Sequence, residues 1–444
     1  MTAAGAVPSL AAVEQALLAR WPENRIAPSL ERMTALMTAL GSPQRAVPVI
    51  HVAGTNGKTT TARIIDDLLR AAGLRVGRYT SPHLRTMRER IVVDGAPLDA
   101  ARFVAAHQRV APAVAEVDAR SPVPLSFFEI VTAMAYVTFA DTPVDVTVVE
   151  VGLGGRWDAT NVADGEVAVI TSIGLDHTEL LGPDEVSIAG EKAGIIKPGA
   201  VVVLAGQTAP VETVLTGRAR DLAATVVRVG RDAQVVSRTP QPEGQLLELR
   251  GVSPAYRDLV VTLPLLGRHQ AENALTALTA VETFLAPRGA LPSAEVIQRT
   301  FAQVSSPGRL ETVGRNPRVL VDASHNPAGM AVTAAALREA FPGSRVIAVV
   351  AALAGKDVAG MLRELTDVVA EVLVTGNGSA RSLPPGELAD LAVDALGADR
   401  VSVFPDLAAA LDAARYRAAE QPGRTAVLVT GSVVTAGKAL ALLT

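Results

Sequence analysis

The segment Val49–Arg63, VIHVAGTNGKTTTAR, constrains the fold of this chain more than any other. An apolar run suited to a buried strand, Val47–Ala53, ends in a turn containing Gly54 and Gly57. Lys58, Thr59 and Thr60 then open a stretch in which Ile64, Ile65, Leu68 and Leu69 recur at helical spacing, with Gly73 as its stop. A strand, a glycine turn and a helix N-terminus in that order point backbone N–H groups at an anion, so the segment reads as a phosphate cradle. Its match to G-x-x-x-x-G-K-[ST] departs at Val52, which stands where the first glycine belongs. A hydroxyl at Thr59 or Thr60 would reach Mg²⁺ beside the β- and γ-phosphates of a nucleotide.

A strand that feeds a helix in this way belongs to a parallel sheet, and the rest of the chain keeps the same rhythm. Strands are expected at Arg75–Tyr79, Asp145–Val151, Glu166–Ile173 and Ala200–Leu204, with helices near Asp99–Val117 and Phe128–Phe139. Short alternating runs between Val226 and Leu263 predict a small antiparallel appendage. Helices follow at Asn273–Leu285 and Ser293–Val304, and the Ser305-Ser306-Pro307-Gly308 break marks a domain boundary. Beyond it strands are expected at Arg318–Asp322, Arg345–Ala351, Glu371–Thr375, Arg400–Phe404 and Ala426–Thr430. The expected architecture is an α/β P-loop NTPase-like domain with a parallel sheet and the appendage (residues 1–306), then a smaller Rossmann-like α/β domain (residues 307–444).

Composition narrows the class. A net charge of −4 and a pI near 6.0 lack the basic surplus of a nucleic-acid binder. With no cysteine there is no thiolate nucleophile, disulfide or cysteine metal site. Without a basic and apolar leader or a membrane-length apolar window, the expectation is a soluble cytoplasmic protein. Only five of the 41 basic residues are lysines: Lys58, Lys192, Lys197, Lys356 and Lys438. Where arginine supplies surface charge, a retained lysine is a candidate for what guanidinium cannot do, namely lose its proton and react.

Further candidates lie at the ends of the expected strands. Glu150 ends VTVVE before the GLGG turn, and Asp176 and His177 end ITSIGLDH; a carboxylate and an imidazole there are placed to hold a metal beside the cradle. A hydrogen-bonded structural histidine is the alternative for His177. Five of the six histidines, His51, His83, His177, His269 and His325, lie in or beside Gly, Pro, Asn or Ser motifs. Lys192, in EKAGIIKPG, would repel metals as an ammonium and bridge them as a carbamate; its alternative is a surface pair with Glu191. The paired Phe127 and Phe128 in an aromatic-poor chain (3%) are core residues or a stacking surface for a flat heterocycle. Asp322 and His325 end a strand in VDASHNPAG, and Arg309 in PGRLE suits transition-state phosphate charge.

Together these segments resemble the folylpolyglutamate synthase and dihydrofolate synthase family, relatives of the Mur ligases. GTNGKTT, SPHLRTMRERI, FFE, EVGLGGRWDATN, ITSIGLDH, EKAGI, HQAEN, PGRLE and DASHNP run in the family's order along the whole chain. The resemblance implies an ATP-dependent ligase that adds L-glutamate to dihydropteroate and to reduced folates through an acyl phosphate; a cytoplasmic monomer with no nucleic-acid or membrane partner is the default expectation beside it. It implies ATP contacts from Gly54, Thr55, Asn56, Gly57, Lys58, Thr59, Thr60, Asn273, Arg309 and Asp322. Two Mg²⁺ are implied, with Ser81, Glu150, His177 and Lys192, the last as a carbamate, among their ligands; K⁺ is a candidate further ion. Pteroate or folate binding is implied for Ser126, Phe127, Phe128, Glu129, Trp157, Asp158 and Ala159, with Leu30–Met33 as a looser match over that pocket. Lys58, Lys192 and His325 are the implied catalytic residues. Three departures stand out: Thr59 for a usual glycine, Trp157 for a usual leucine, and Ala323-Ser324 for a usual Gly-Ala. Alternative readings are a monofunctional folylpolyglutamate synthase, a Mur-type peptide ligase, and a P-loop regulator without ligase activity.

Overall fold

A computed structural model describes residues 7–21, 28–420 and 425–444. The chain forms two compact units. One comprises Met1–Gln234, Arg250–Leu259 and Asn273–Thr300; the other comprises Val235–Leu249, Val260–Glu272 and Phe301–Thr444. The units interleave in sequence between residues 235 and 300, where the sequence-based expectation is a single cut after residue 306.

The first unit is built on eight strands: β1 (Val49–Ala53), β2 (Val76–Tyr79), β3 (Ile91–Val93), β4 (Ala96–Pro97), β5 (Val146–Glu150), β6 (Val167–Ile170), β7 (Val201–Leu204) and β8 (Thr225–Arg228). Their order is β4-β3-β2-β5-β1-β6-β7-β8. From β2 to β8 every pairing is parallel. β3 and β4 add an antiparallel edge, so the sheet is mixed. β1 and β5 are buried along their whole length, which is why they read as apolar runs without alternation. Helices Leu10–Leu18, Glu31–Ala39, Ala100–Arg120 and Phe127–Asp141 supply one apolar core with β-strand residues such as Tyr79 and Val149. Helices Glu185–Lys192 and Ala209–Asp221 supply another around Ile170, Val202 and Leu204.

This order decides where chemistry can sit. β2, β5, β1 and β6 are successive neighbours, with Val52 level with Glu150 and Ala53 level with Ile170. Their carboxyl ends therefore form one row, and the loops leaving it carry Ser81, Glu150, Gly54–Lys58 and Thr171–His177.

β9 (Gln234–Gln241), β10 (Gly244–Arg250) and β11 (Leu259–Leu263) make a separate three-stranded sheet in the order β11-β10-β9, and most of it groups with the second unit. That unit's main sheet contains β12 (Glu311–Arg315), β13 (Arg318–Val321), β14 (Arg345–Val350), β15 (Glu371–Val374), β16 (Val401–Val403) and β17 (Thr425–Thr430), in the order β12-β13-β17-β14-β15-β16. All its pairings are parallel except β12 with β13, giving the expected Rossmann-like layer an antiparallel edge. Among the described residues no helix is long and apolar enough to cross a membrane.

Candidate active site

Gly57 adopts φ 87° as the N-cap of helix Lys58–Ala71. A Cβ there would stand 2.3 Å from Asn273 Oδ1, so the Asn273 amide lies directly against the cradle. The turn is tied to the end of β6: Thr55 and Asn56 N–H donate to Ser172 O (2.9 and 3.3 Å), and the Thr171 hydroxyl donates to Asn56 O (2.7 Å). Lys58 Nζ donates to Gly54 O and Thr55 O, both at 3.1 Å, which places its ammonium over the loop.

The Thr59 hydroxyl donates to the Glu150 carboxylate (2.9 and 3.1 Å), and Ser81 N–H donates to Glu150 Oε2 at 3.2 Å. Glu150 is only 1% exposed. A buried carboxylate needs such donors or a cation. Glu150 and the Thr59 hydroxyl thus put hard oxygens beside the cradle, with Ser81 held against them through its backbone N–H, and such oxygens suit Mg²⁺ when phosphates and water complete its shell. Among the described residues no group of three or more His, Asp or Glu side chains could hold a metal by itself. His177 opens helix Thr178–Leu181 at φ 51°, its ring 3.9 Å from both Asp176 and Glu179.

Lys192 is the last residue of helix Glu185–Lys192 and is 4% exposed. Burial, reinforced by the charge of Lys58, lowers its pKa from 10.5 to about 7, while Asp176 and Asp158 pull the other way. The GLGG turn brings it there. Arg156 N–H donates to Glu191 O (2.9 Å), and a Cβ on Gly155 would meet Glu191 O at 2.6 Å and Lys192 Cα at 2.9 Å. Only glycine lets the turn lie this close to the helix end.

The two expected acceptor segments also meet. A Cβ on Gly152 would stand 2.4 Å from the Phe128 ring, which also lies 6.0 Å from the Tyr79 ring between centroids. Phe127 is a core residue with the Arg90 guanidinium 4.9 Å above its ring. Ser126 and Glu129 form a capping box at the start of helix Phe127–Asp141, and Glu129 also accepts from Arg32 Nε (3.2 Å). Asp158 is buried, its carboxylate accepting from Leu153 N (2.8 Å), Thr160 N (3.0 Å) and the Thr160 hydroxyl. Burial raises its pKa and these hydrogen bonds oppose the rise. Trp157 packs on Gly154, and Ala159 begins the short helix Ala159–Val162.

In the second unit, Leu310 N–H donates to Asp322 Oδ2 (2.8 Å) and Ala323 N–H to Gly308 O (2.8 Å), which joins PGRLE to DASHNP. Asp322 Oδ1 accepts from Ser324 N and the Thr333 hydroxyl. His325 Nδ1 lies 3.1 Å from Ala323 O. His269 is pushed down to about 4 by burial, with Asp322 opposing and Arg309 assisting, so HQAEN reaches the same cluster.

The Mur ligase middle domain family matches residues 52–281, and the Mur ligase glutamate ligase domain family matches residues 308–433. The dihydrofolate synthase/folylpolyglutamate synthase of Mycobacterium tuberculosis is 45% identical over 99% of this chain and 96% of its own length. The chain belongs to the dihydrofolate synthase/folylpolyglutamate synthase family. Among solved structures, Mycobacterium tuberculosis folylpolyglutamate synthase complexed with ADP aligns with a TM-score of 0.91 at 45% identity, covering 98% of each chain. Escherichia coli FolC in complex with DHPP and ADP aligns with a TM-score of 0.83 at 32% identity, covering 98% of this chain and 97% of that one.

As a member of this family, the chain shows site features that residue motifs alone did not reveal. Asp176 neighbours Lys192, Arg32 pairs with Glu129, Arg90 stacks on Phe127, and the buried His51 Nε2 lies 2.9 Å from the Thr160 hydroxyl. Each links segments that lie apart in the sequence. Asp176 and His51 stood out in the sequence as a strand-end carboxylate and a motif histidine, but their partners did not.

Proposed function

We propose that this ligase joins L-glutamate to dihydropteroate and to reduced folates through an acyl phosphate. The observation that carries the reading is the meeting of Lys58, Thr59, Ser81 and Glu150 at one row of strand ends. The Phe128–Gly152 contact and the buried Lys192 lie in the same unit. An acceptor carboxylate oxygen attacks the γ-phosphorus and ADP leaves; Lys58 holds the phosphate charge while this happens. The glutamate amine then attacks the acyl carbon, loses a proton, and inorganic phosphate departs from the tetrahedral intermediate. The products are ADP, phosphate and an amide.

Phe128, Trp157 and Ala159 bind the flat acceptor, in a frame set by Ser126, Phe127, Glu129 and Asp158. Gly54–Thr60 and Asn273 bind ATP; Arg309 and Asp322 are further ATP-binding residues of this reading, and His325 is a catalytic one. Glu150, Ser81 and His177 would hold Mg²⁺, with Lys192 as a carbamate beside a second ion; K⁺ is a further candidate. When bound, Mg²⁺ neutralises phosphate charge as a Lewis acid. The enzyme is proposed to work in the cytoplasm as a monomer, without nucleic-acid or membrane partners. The test is ATP-dependent phosphate release with glutamate and a panel of dihydropteroate, tetrahydrofolate and UDP-sugar peptide acceptors. Release with the first two is expected, release with tetrahydrofolate alone reduces the reading to one activity, and release only with the peptide overturns it.

The Lys192 carbamate has a direct signature. CO₂ adds to the neutral amine, and with the pKa lowered to about 7 that form is minor below pH 7 and dominant above it. At fixed pressure of ¹³C-labelled CO₂, a carbamate ¹³C NMR signal is expected to grow as pH rises from 6 to 8.5 and to be missing in Lys192→Arg. Equal spectra for the two proteins would remove the modification from the reading.

A further inference from the structure

His51 lies in the middle of β1, fully buried, where its neighbours Ile50 and Val52 are apolar. An imidazole at such a position loses its hydration and must be compensated by hydrogen bonding. Only one of its nitrogens is: Nε2 lies 2.9 Å from Thr160 Oγ1, and Nδ1 has no partner. The Thr160 hydroxyl has a single hydrogen, which it donates to Asp158 Oδ1. Asp158 also accepts from three backbone N–H groups, those of Gly152, Leu153 and Thr160, so its carboxylate acts as the acceptor. With the hydroxyl hydrogen committed, Nε2 is the donor to Thr160, and Nδ1 is the bare nitrogen.

Donation therefore runs from His51 Nε2–H to Thr160 Oγ1 and from Thr160 Oγ–H to Asp158, whose carboxylate also accepts from the backbone N–H groups of the Gly152–Asp158 turn. A second bond fixes the same threonine from its backbone side, since the Tyr136 hydroxyl donates to Thr160 O at 2.7 Å. Tyr136 belongs to the helix Phe127–Asp141 that starts with the acceptor segment. Thr160 is thus the junction of the cradle strand, the glycine turn and the Phe127–Phe128 helix.

We infer that His51 is a positioning residue for acceptor binding, holding through Thr160 and Asp158 the turn that presents Gly152, Trp157 and Ala159. The inference rests on the proposed reading that this turn faces the pteroate or folate. An unpartnered Nδ1 in a buried strand is unfavourable by itself, whereas a leucine or phenylalanine would fill the space without that penalty. The histidine therefore has a polar task, and Thr160 is the polar atom it reaches. His51 touches neither ATP nor acceptor in this role. Its loss should loosen acceptor binding and leave the nucleotide cradle in place.

The test uses the full chain. In the unmodified protein labelled with ¹⁵N-histidine, the resonance pair missing from His51→Gln is expected to show a neutral Nε2–H tautomer that does not change between pH 8 and pH 5. A charged ring or an Nδ1–H tautomer overturns the chain of donors without any kinetic measurement. Thr160→Val is expected to raise the acceptor KM about tenfold with the ATP KM changed less than twofold, and Thr160→Ser to return the acceptor KM to within about twofold of the original. His51→Leu is expected to reproduce the Thr160→Val pattern at a smaller size, about fivefold. If ATP and acceptor KM rise together, or if serine fails to rescue, His51 is only a core residue. Trp157→Ala separates the premise from the inference. An unchanged acceptor KM in Trp157→Ala removes both, whereas a raised KM there with a normal Thr160→Val removes the His51 role alone.

Discussion

Replacing Lys192 with Arg should lower turnover by about a thousandfold or more, with no recovery in bicarbonate. The substitution keeps a positive charge and a long aliphatic stem, so it tests the chemistry of the amine and little else. Guanidinium stays protonated at any working pH and cannot take up CO₂. Lysine at this place is held near neutrality by burial and by Lys58. A permanently charged fork in the same volume would face Lys58 and remove the anionic oxygens that a carbamate offers. Nucleotide binding reports separately: the cradle hangs on Gly54, Gly57, Thr171 and Ser172 and makes no backbone hydrogen bond to residue 192. ADP affinity measured by calorimetry should therefore fall by less than about tenfold while phosphate release collapses. Near-normal release in Lys192→Arg would refute the catalytic assignment. Lys192→Met gives the other arm, since a structural lysine at 4% exposure would tolerate methionine and retain activity.

Much of this architecture was legible because parallel strands buried on both faces are written as apolar runs, and glycine turns punctuate them. β1, β5, β6, β7, β14 and β17 lie inside or within a residue of their expected segments. The antiparallel edge β3–β4 was missed although its turn is plain: Asp94 and Gly95 both take positive φ (54° and 82°), the two-residue hairpin that Asp-Gly favours. Strands of three and two residues carry too little periodicity to be noticed without that turn. The site divides in the same way. Lys58, Thr59 and Glu150 were legible because each sits next to a strand end, Ser81 only through the family resemblance, and strand order brings the four together. Lys192 was visible as a scarce lysine, but its burial was not, because that depends on Gly155 and Arg156 packing on Glu191 from another loop. His51 looked like part of the cradle motif. Its partner is 109 residues away, and only the β1–β5–β6 register makes that partner reachable.

Gly54→Ala should weaken ATP binding by about a hundredfold or more, near 2.7 kcal/mol. Gly54 holds φ 146°, and a Cβ there would stand 1.8 Å from Thr171 Oγ1, 2.9 Å from Thr171 Cβ and 3.2 Å from its carbonyl carbon. The threonine cannot rotate away freely, since its hydroxyl bonds Asn56 O and its own N–H bonds Ala53 O at 2.8 Å. The loop must move instead, and with it the Gly54 and Thr55 carbonyls that Lys58 holds. Gly73, just beyond the other end of the same helix, provides the control. It also has positive φ (90°), but an added Cβ meets nothing within 4 Å. Gly73→Ala should therefore cost about 1 kcal/mol of stability from backbone strain and leave ATP affinity unchanged. Adding Thr171→Ala to Gly54→Ala removes the hydroxyl contact but leaves the Cβ at 2.9 Å, so the double variant should stay defective. Full recovery there would mean that the hydroxyl, rather than the approach of the two backbones, decides the loop. Equal ATP affinity in Gly54→Ala and Gly73→Ala would mean that the cradle does not need its close contact with the end of β6.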